Sequence, residues 1–225
     1  MVKHGFNKEL NKDYKLIIKA WPFDALMRKI QALEIRKFGG KYLIEFGCGS
    51  GEATKQIIKY NPKLRIFATD KDPHVIKNAK NSIKSKNATF QTIDAFKFKS
   101  AKKYDIVTSS HFIHNFVHKK QLILLKMMYN ELNHNGLFII VDKIWPDNPV
   151  LRKKYWQRMK NRFKIYDRHD RSDLRDAMLE HETIDRARVS VIIEAQFKDT
   201  LKKIGFKDIK IVIRKEQDVV LLAKK

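Results

Sequence analysis

The chain has 225 residues, 43% of them hydrophobic, and 48 Lys and Arg against 25 Asp and Glu give it a net charge of +23. That length suits one sizeable core rather than two. No apolar run approaches the ~18 residues of a spanning helix, so no membrane partner is expected, and the single cysteine, Cys48, excludes an internal disulfide and a multi-cysteine metal site. The charge admits a polyanionic partner such as RNA. All but 12 of the 48 cations are lysines, however, and they are spread along the whole chain, a pattern that compositional bias produces as readily. The N-terminal stretch lacks the apolar run of a secretion signal, which gives the expectation of a cytoplasmic protein.

In chain order, residues 7–36 carry apolar residues at three- and four-residue spacing, the pattern of an amphipathic helix, broken into two pieces by Pro22. "KYLIEF" (41–46) reads as a buried strand and "EATKQIIKY" as a helix stopped at Asn61-Pro62. "LRIFATD" (64–70) is a second strand. A second helix follows, with Asp72 as its cap and Pro73 in its first turn. "ATFQTID" (88–94) and "YDIVTSS" (104–110) are the third and fourth strands. A helix then runs to about Asn135-Gly136, and "LFIIVDK" (137–143) is the fifth strand. Residues 150–204 are helical and highly charged, and two closing strands (207–215 and 218–225) share so short a turn that they must pair antiparallel. Strand–helix alternation through residue 143 predicts parallel strands with helices on both faces, and ligands in such sheets bind beyond the carboxyl ends of the strands.

The stretch at those ends that stands out is "IEFGCGSG". It fails the dinucleotide pattern in both frames, because Glu52 or Thr54 falls where a small residue is needed, and it lacks the Lys of a phosphate loop. What remains is E-x-G-x-G-x-G: Glu45, Gly47, Gly49 and Gly51. A carboxylate entering the loop suits a ligand with a positive amino group better than a pyrophosphate. Asp70, 19 residues beyond Gly51 at the end of strand two, is placed to accept both ribose hydroxyls of an adenosine.

With "FATDKDP", "TIDAFKF", "YDIVTSSHFIHNF" and "ELNHNGLFIIVDK" following in order, the chain resembles the class I S-adenosylmethionine (SAM) dependent methyltransferases from about residue 40 to the end. His134-Asn135-Gly136 departs from the family's Pro-Gly-Gly. The resemblance implies an α/β, Rossmann-like fold. Its mostly parallel seven-stranded sheet would end in an antiparallel hairpin, under a helical N-terminal cover and a helical insert after strand five. It implies one domain over residues 1–225, with a cover (1–38), a SAM-binding core (39–145), an insert (146–205) and closing strands (206–225). The cofactor-contacting residues it implies are Glu45, Phe46, Gly47, Cys48, Gly49, Gly51, Asp70, Lys71, Asp94, Ala95 and Ser109. Asp94 and Ala95 would meet the adenine, and Glu45 with the carbonyls near Gly47 and Ser109 the methionine end. The helices before strand one also resemble those of carboxy-SAM synthase.

The fourth motif lacks the Asn/Asp-Pro-Pro-Tyr/Phe of amide and base-amine methylation, and the sole cysteine lies in the glycine loop, away from where carbon-5 chemistry needs one. With only serines ending strand four, no metal is expected. "SHFIHN" instead resembles the motif of small-molecule methyltransferases, which makes His114, and after it His111, the candidate proton acceptors. Tyr14 and Trp21 of the cover, and Arg152 and Arg168 among the eight arginines of the insert, are the candidate acceptor contacts. A small acceptor is the first expectation, anionic if these arginines reach it rather than pairing along the helices with the acids interleaved among them. An RNA acceptor, or a SAM- or RNA-binding protein without chemistry, is the alternative.

Overall fold

The computed structural model describes residues 13–187 and 190–225. A helical turn, α1 (Tyr14–Ile17), runs into a 3-10 turn at Ile18–Ala20, and after Pro22 the chain forms α2 (Asp24–Phe38). The earlier part of the predicted first helix lies outside the described residues. The alternating region follows as β1 (Tyr42–Phe46), α3 (Glu52–Tyr60), β2 (Arg65–Asp70), α4 (Pro73–Ser82), β3 (Ala88–Thr92), β4 (Tyr104–Ser110), α5 (His118–Glu131) and β5 (Leu132–Trp145). Asp72 caps α4 by accepting from the His74 N–H at 2.8 Å, and Pro73 occupies the first turn, where a missing N–H costs nothing.

The sheet order is β3-β2-β1-β4-β5-β8-β7, where β7 is Lys207–Lys215 and β8 is Asp218–Lys224. The first five strands run parallel, and β8 is antiparallel to both β5 and β7. This is the α/β, Rossmann-like arrangement expected, with its antiparallel closing pair. Because helices cover both faces, β1 is buried from Leu43 to Phe46 without alternation. Ile44, Val107, Phe138 and Ile140 face α5, while Leu43, Ile66, Ile106 and Ile139 face α2, α3 and α4.

Two elements differ from expectation. Helix α5 stops at Glu131, and β5 begins at Leu132, before the predicted turn. Leu132 pairs with Tyr104, Asn135 takes φ +61°, and a register shift between Tyr104 and Ile106 absorbs the extra residues as a bulge. The insert is α6 (Pro149–Phe163), α7 (Ser172–Asp185) and an unexpected strand, β6 (Ile192–Ile193), before α8 (Glu194–Ile204). β6 pairs in parallel with Ile144 and Trp145, so the sheet gains an eighth, two-residue strand beside the end of β5.

A third core joins the cover to the insert. Ile17 and Ala20 pack with Trp145, Met159, Phe163 and Tyr166. The Tyr166 hydroxyl donates to the Ile17 carbonyl at 3.0 Å, and Arg162 Nε to that of Ala20 at 3.1 Å. Cover and insert thereby close over the carboxyl ends of β1, β4 and β5.

Candidate functional site

A cavity of about 1000 Å³ lies at those strand ends. One end is formed by the β1–α3 loop and the ends of β2 and β3. Gly47, Gly49 and Gly51 all have positive φ, at +68°, +52° and +86°. At Gly47 glycine is required twice over: the dihedral is left-handed, and a Cβ would stand 2.2 Å from the Phe112 ring. A Cβ on Gly49 would meet no atom within 4 Å, so the loop backbone opens onto the cavity.

Asp70 is fixed beside it. Its Oδ2 accepts from the Gly49 N–H and its Oδ1 from the Asp72 N–H, each at 3.0 Å. Glu45 is 1% exposed and accepts from Thr54 Oγ1 at 2.6 Å. Burial pushes its pKa up to about 7, against the pull of Thr54 and Arg28. Asp94 caps the short turn that carries Ala95 and Phe96, accepting from the Phe96 N–H at 3.0 Å. An open glycine backbone, a positioned carboxylate, an apolar ledge at Ile93, Ala95 and Phe96, and a buried carboxyl fit an adenosine carrying an amino-acid tail. Cys48 also lines this end, but burial, with Glu45 and Asp70 nearby, pushes its thiol pKa far up. It acts as a packing residue and not a nucleophile.

The other end is a buried charged network built on the last residues of β4 and β5. Asp142 accepts from the Ile113 and Lys143 N–H groups, each at 2.8 Å, and its Oδ1 also meets His114 Nδ1. Burial works to raise Asp142, but the charge and hydrogen bond of His114 outweigh it and hold the carboxyl below the usual range. An ionised carboxylate only accepts, so Nδ1 carries the hydrogen and Nε2 is the ring's other face. That Nε2 lies 3.6 Å from Asp185 Oδ2, so an imidazolium here has a carboxylate on each side.

Lys143 inserts its ammonium between Glu182 and Asp185 of α7, 5.2 Å from the Trp21 ring. Burial would lower its pKa, but the two carboxylates raise it. Among the described residues, His181, Glu182 and Asp185 bring metal-ligand atoms within 4.8 Å of one another, and the Lys143 ammonium already bonds two of the three. His111 sits at φ +49° on the cavity wall, with Nε2 3.3 Å from Asp24 Oδ1; the other Asp24 oxygen meets Arg28 at 3.0 Å.

Of the residues singled out in the sequence, the cavity gathers Glu45, Gly47, Cys48, Gly49, Asp70, Lys71, Asp94, Ala95, Trp21, His111 and His114. It does not gather five others. Phe46 points into the sheet core, edge-on to Phe98 at 5.1 Å. Gly51 turns back toward Ile83. Ser109 is buried with its carbonyl taken by Gln31 Nε2 at 3.2 Å, and Ser110 lines the cavity in its place. Arg152 bonds the carbonyls of Pro146 and Asp147, and Arg168 is exposed on the turn Asp167–His169. The Tyr14 side chain lies outside the described residues.

The other described insert arginines also have partners within the protein. Arg171 pairs with Asp13 and Asp173, Arg175 with Asp167 and Asp176, and Arg162 with Glu216, while Arg186 lies 4.2 Å over the Trp156 ring. They stitch the insert together. The residues that sequence reasoning missed are Asp24, Arg28, Lys143, Glu182, Asp185 and Asp218. The one available signal was "VDK", a charged pair closing an otherwise continuous apolar strand.

A sequence-family profile described as a methyltransferase domain matches residues 44–138. The chain is 24% identical over 190 residues to the carboxy-S-adenosyl-L-methionine synthase of Helicobacter pylori, covering 81% of this chain and 75% of that one. It is 28% identical over 135 residues to malonyl-[acyl-carrier protein] O-methyltransferase 1 of Ilyobacter polytropus, covering 57% of this chain and 50% of that one. The same fold is seen in the human N-acetylserotonin methyltransferase in complex with SAM. There the TM-score is 0.64 at 17% identity, over 94% of this chain and 54% of that one. For the plantazolicin methyltransferase BpumL in complex with SAH (S-adenosylhomocysteine) the TM-score is 0.68 at 15% identity, over 97% of this chain and 91% of that one. The chain spans little more than half the length of the human enzyme and half that of the O-methyltransferase.

The fold is the Rossmann-like one of these methyltransferases, and residues 44–138 match the methyltransferase-domain profile. Together they support a SAM-dependent methyltransferase domain. Among the described residues, no helix is long and apolar enough to cross a membrane.

Proposed function

We propose that the chain transfers the methyl group of SAM to a small-molecule acceptor, with His114 as the general base. The observation that carries this is the His114–Asp142 pair on the wall of a cavity shared with the glycine loop. In this reading Glu45, Gly47, Gly49, Asp70, Asp94 and Ala95 hold the cofactor. Bound SAM supplies an electrophilic methyl, whose transfer returns the S–C electron pair to sulfur and leaves a neutral thioether.

The residues do the rest. Trp21 and the insert cover the acceptor and exclude water. His114 Nε2 takes the proton that the acceptor atom loses as its new bond to carbon forms. Asp142 holds the ring by Nδ1–H and, with Asp185, stabilises the imidazolium. Contact with an anionic acceptor through the insert arginines is not part of this reading, because those described pair within the protein or face away from the cavity.

The test uses calorimetry with SAH and transfer of label from SAM into an ultrafiltered pool of cell metabolites. His114→Gln is expected to lower turnover by about 10²–10⁴-fold while SAH binding stays unchanged. Full turnover in that variant would remove His114 from the mechanism. RNA as the acceptor predicts a different result: selective labelling of one RNA, with affinity falling by about three decades between roughly 50 and 200 mM salt for six or more phosphate contacts. That result would replace the small-molecule reading.

A second reading rests on the similarity to carboxy-SAM synthase, which extends over more of this chain than that to the O-methyltransferase. Here the chain forms or uses carboxy-SAM. Mass spectrometry of the ligand released from purified protein separates the two, because the carboxylated cofactor is heavier.

A further inference from the structure

The acceptor end carries more carboxylate than its cations satisfy. Asp24 has Arg28 and His111, and Asp142 has His114. Glu182 and Asp185 share the single ammonium of Lys143. Asp218, at the start of β8, has no hydrogen bond at Oδ1, and Glu182 Oε2 has none either. Asp218 is 3% exposed and Glu182 1% exposed, and both line the cavity. Five carboxylates thus surround two permanent cations.

A buried carboxylate oxygen without a donor costs free energy that a native structure ordinarily recovers from a partner. Burial pushes the Asp218 pKa up to about 6, against the pull of His111, Lys143 and Arg162. An anion brought to this end would meet two buried carboxylate oxygens that lack donors. A cation would supply the donors that they lack.

Resting on the methyl-transfer reading above, we infer that the acceptor is a small molecule bearing a cationic nitrogen, which donates to Asp218 and to the free oxygen of Glu182. This assigns the substrate class from the site. It reverses the charge expected from the arginine-rich insert, whose described arginines pair within the protein or lie off the cavity.

The test separates charge from skeleton. An ultrafiltered cell extract is divided at neutral pH into pools retained by a sulfonate cation exchanger, retained by a quaternary-amine anion exchanger, and unretained. Each pool is offered to the purified protein with methyl-labelled SAM. Label is expected from the cation-retained pool. Asp218→Asn should lower kcat/KM for that pool by about ten- to a hundredfold, the effect of losing a charge-assisted bond, with SAH affinity unchanged, and Asp218→Glu should recover part of it. Glu182→Gln provides a second variant should Asp218→Asn fold poorly. Label arising from the anion-retained or unretained pool, or full activity in both variants, overturns the assignment. Transfer to no pool by wild-type protein that binds SAH overturns the methyl-transfer reading itself.

Discussion

At the end built on the glycine loop, neighbouring residues present backbone held at positive φ and tied to Asp70 by the Gly49 N–H. At the acceptor end, α2, β5, α7 and β8, with the turn after β4, each contribute charged or imidazole side chains brought together over long separations, as in Lys143 with Asp185. The first construction depends chiefly on backbone geometry, with Asp70 tying the loop in place. The second depends on side-chain chemistry. It can be retuned by single substitutions without altering the loop, and that is a physical reason why one fold can keep its cofactor while its acceptor changes.

The sharpest way to break the acceptor end is to remove its central cation. Lys143→Ala leaves Glu182 and Asp185 facing each other in a buried site. It should cost about 3–5 kcal/mol of unfolding free energy, as for other broken buried pairs. Urea denaturation measures this. Adding Glu182→Gln and Asp185→Asn to the same chain should recover much of the loss, and a loss below about 1 kcal/mol for Lys143→Ala would show that these charges are solvated.

The corresponding break at the cofactor end is Gly47→Ala. A left-handed non-glycine costs about 1–3 kcal/mol, and the new Cβ must also displace the Phe112 ring from a 2.2 Å approach. SAH affinity by calorimetry should fall at least tenfold, the equivalent of about 1.4 kcal/mol. Lys143→Ala should leave that affinity far less affected in the fraction that remains folded.

The same contrast explains what the sequence could disclose. Loop glycines, the Asp72–Pro73 helix start and the period of buried strands are local patterns, and each strand of the sheet except β6 was legible from them. β6 is two residues long and exists only because it lies beside the end of β5, so it has no local signal. Helix α5 ended early because strand pairing at Leu132 outweighed the propensity of "NELN". At the site, His114 could be singled out by its motif, but its partner Asp142 is 28 positions on and no motif links the two. The insert carboxylates looked like intrahelical partners for neighbouring arginines. Glu182 and Asp185 instead reach Lys143, about 40 residues away, which no spacing rule connects.

A milder change sharpens the cofactor end. Asp70→Ala removes a carboxylate that faces the cavity and also anchors the Gly49 N–H. It should weaken SAH by about 1.5–3 kcal/mol, or ten- to a hundredfold. Asp70→Asn keeps an acceptor for the loop, so it should retain more affinity than alanine if anchoring is a large part of the effect. Equal binding by wild type and both variants would show that Asp70 contacts no ligand.

A pH profile reads both ends separately. Glu45 at the cofactor end has its pKa raised from 4.5 to about 7, and Asp218 at the acceptor end from 3.8 to about 6, each mainly by burial. For an acid raised on folding, the folded state binds the extra proton. The associated stability is fully present below the ordinary pKa and is lost as pH rises through the folded value. In the ligand-free protein, unfolding free energy should therefore decline from about pH 4 to about pH 7, by up to about 1.4 kcal/mol per pH unit for each group titrating. Asp24, Asp142 and Asp185 are depressed, so their contribution is lost only as pH falls below the usual carboxylate range. His111 is raised and His181 lowered, so these two oppose each other in sign. Asp218→Asn should flatten the lower part of the decline and leave the part between about pH 6 and 7, whereas Glu45→Gln should remove that upper part. Urea midpoints across the range decide it: a profile that neither variant changes would mean that both carboxyls are already solvated in the folded chain.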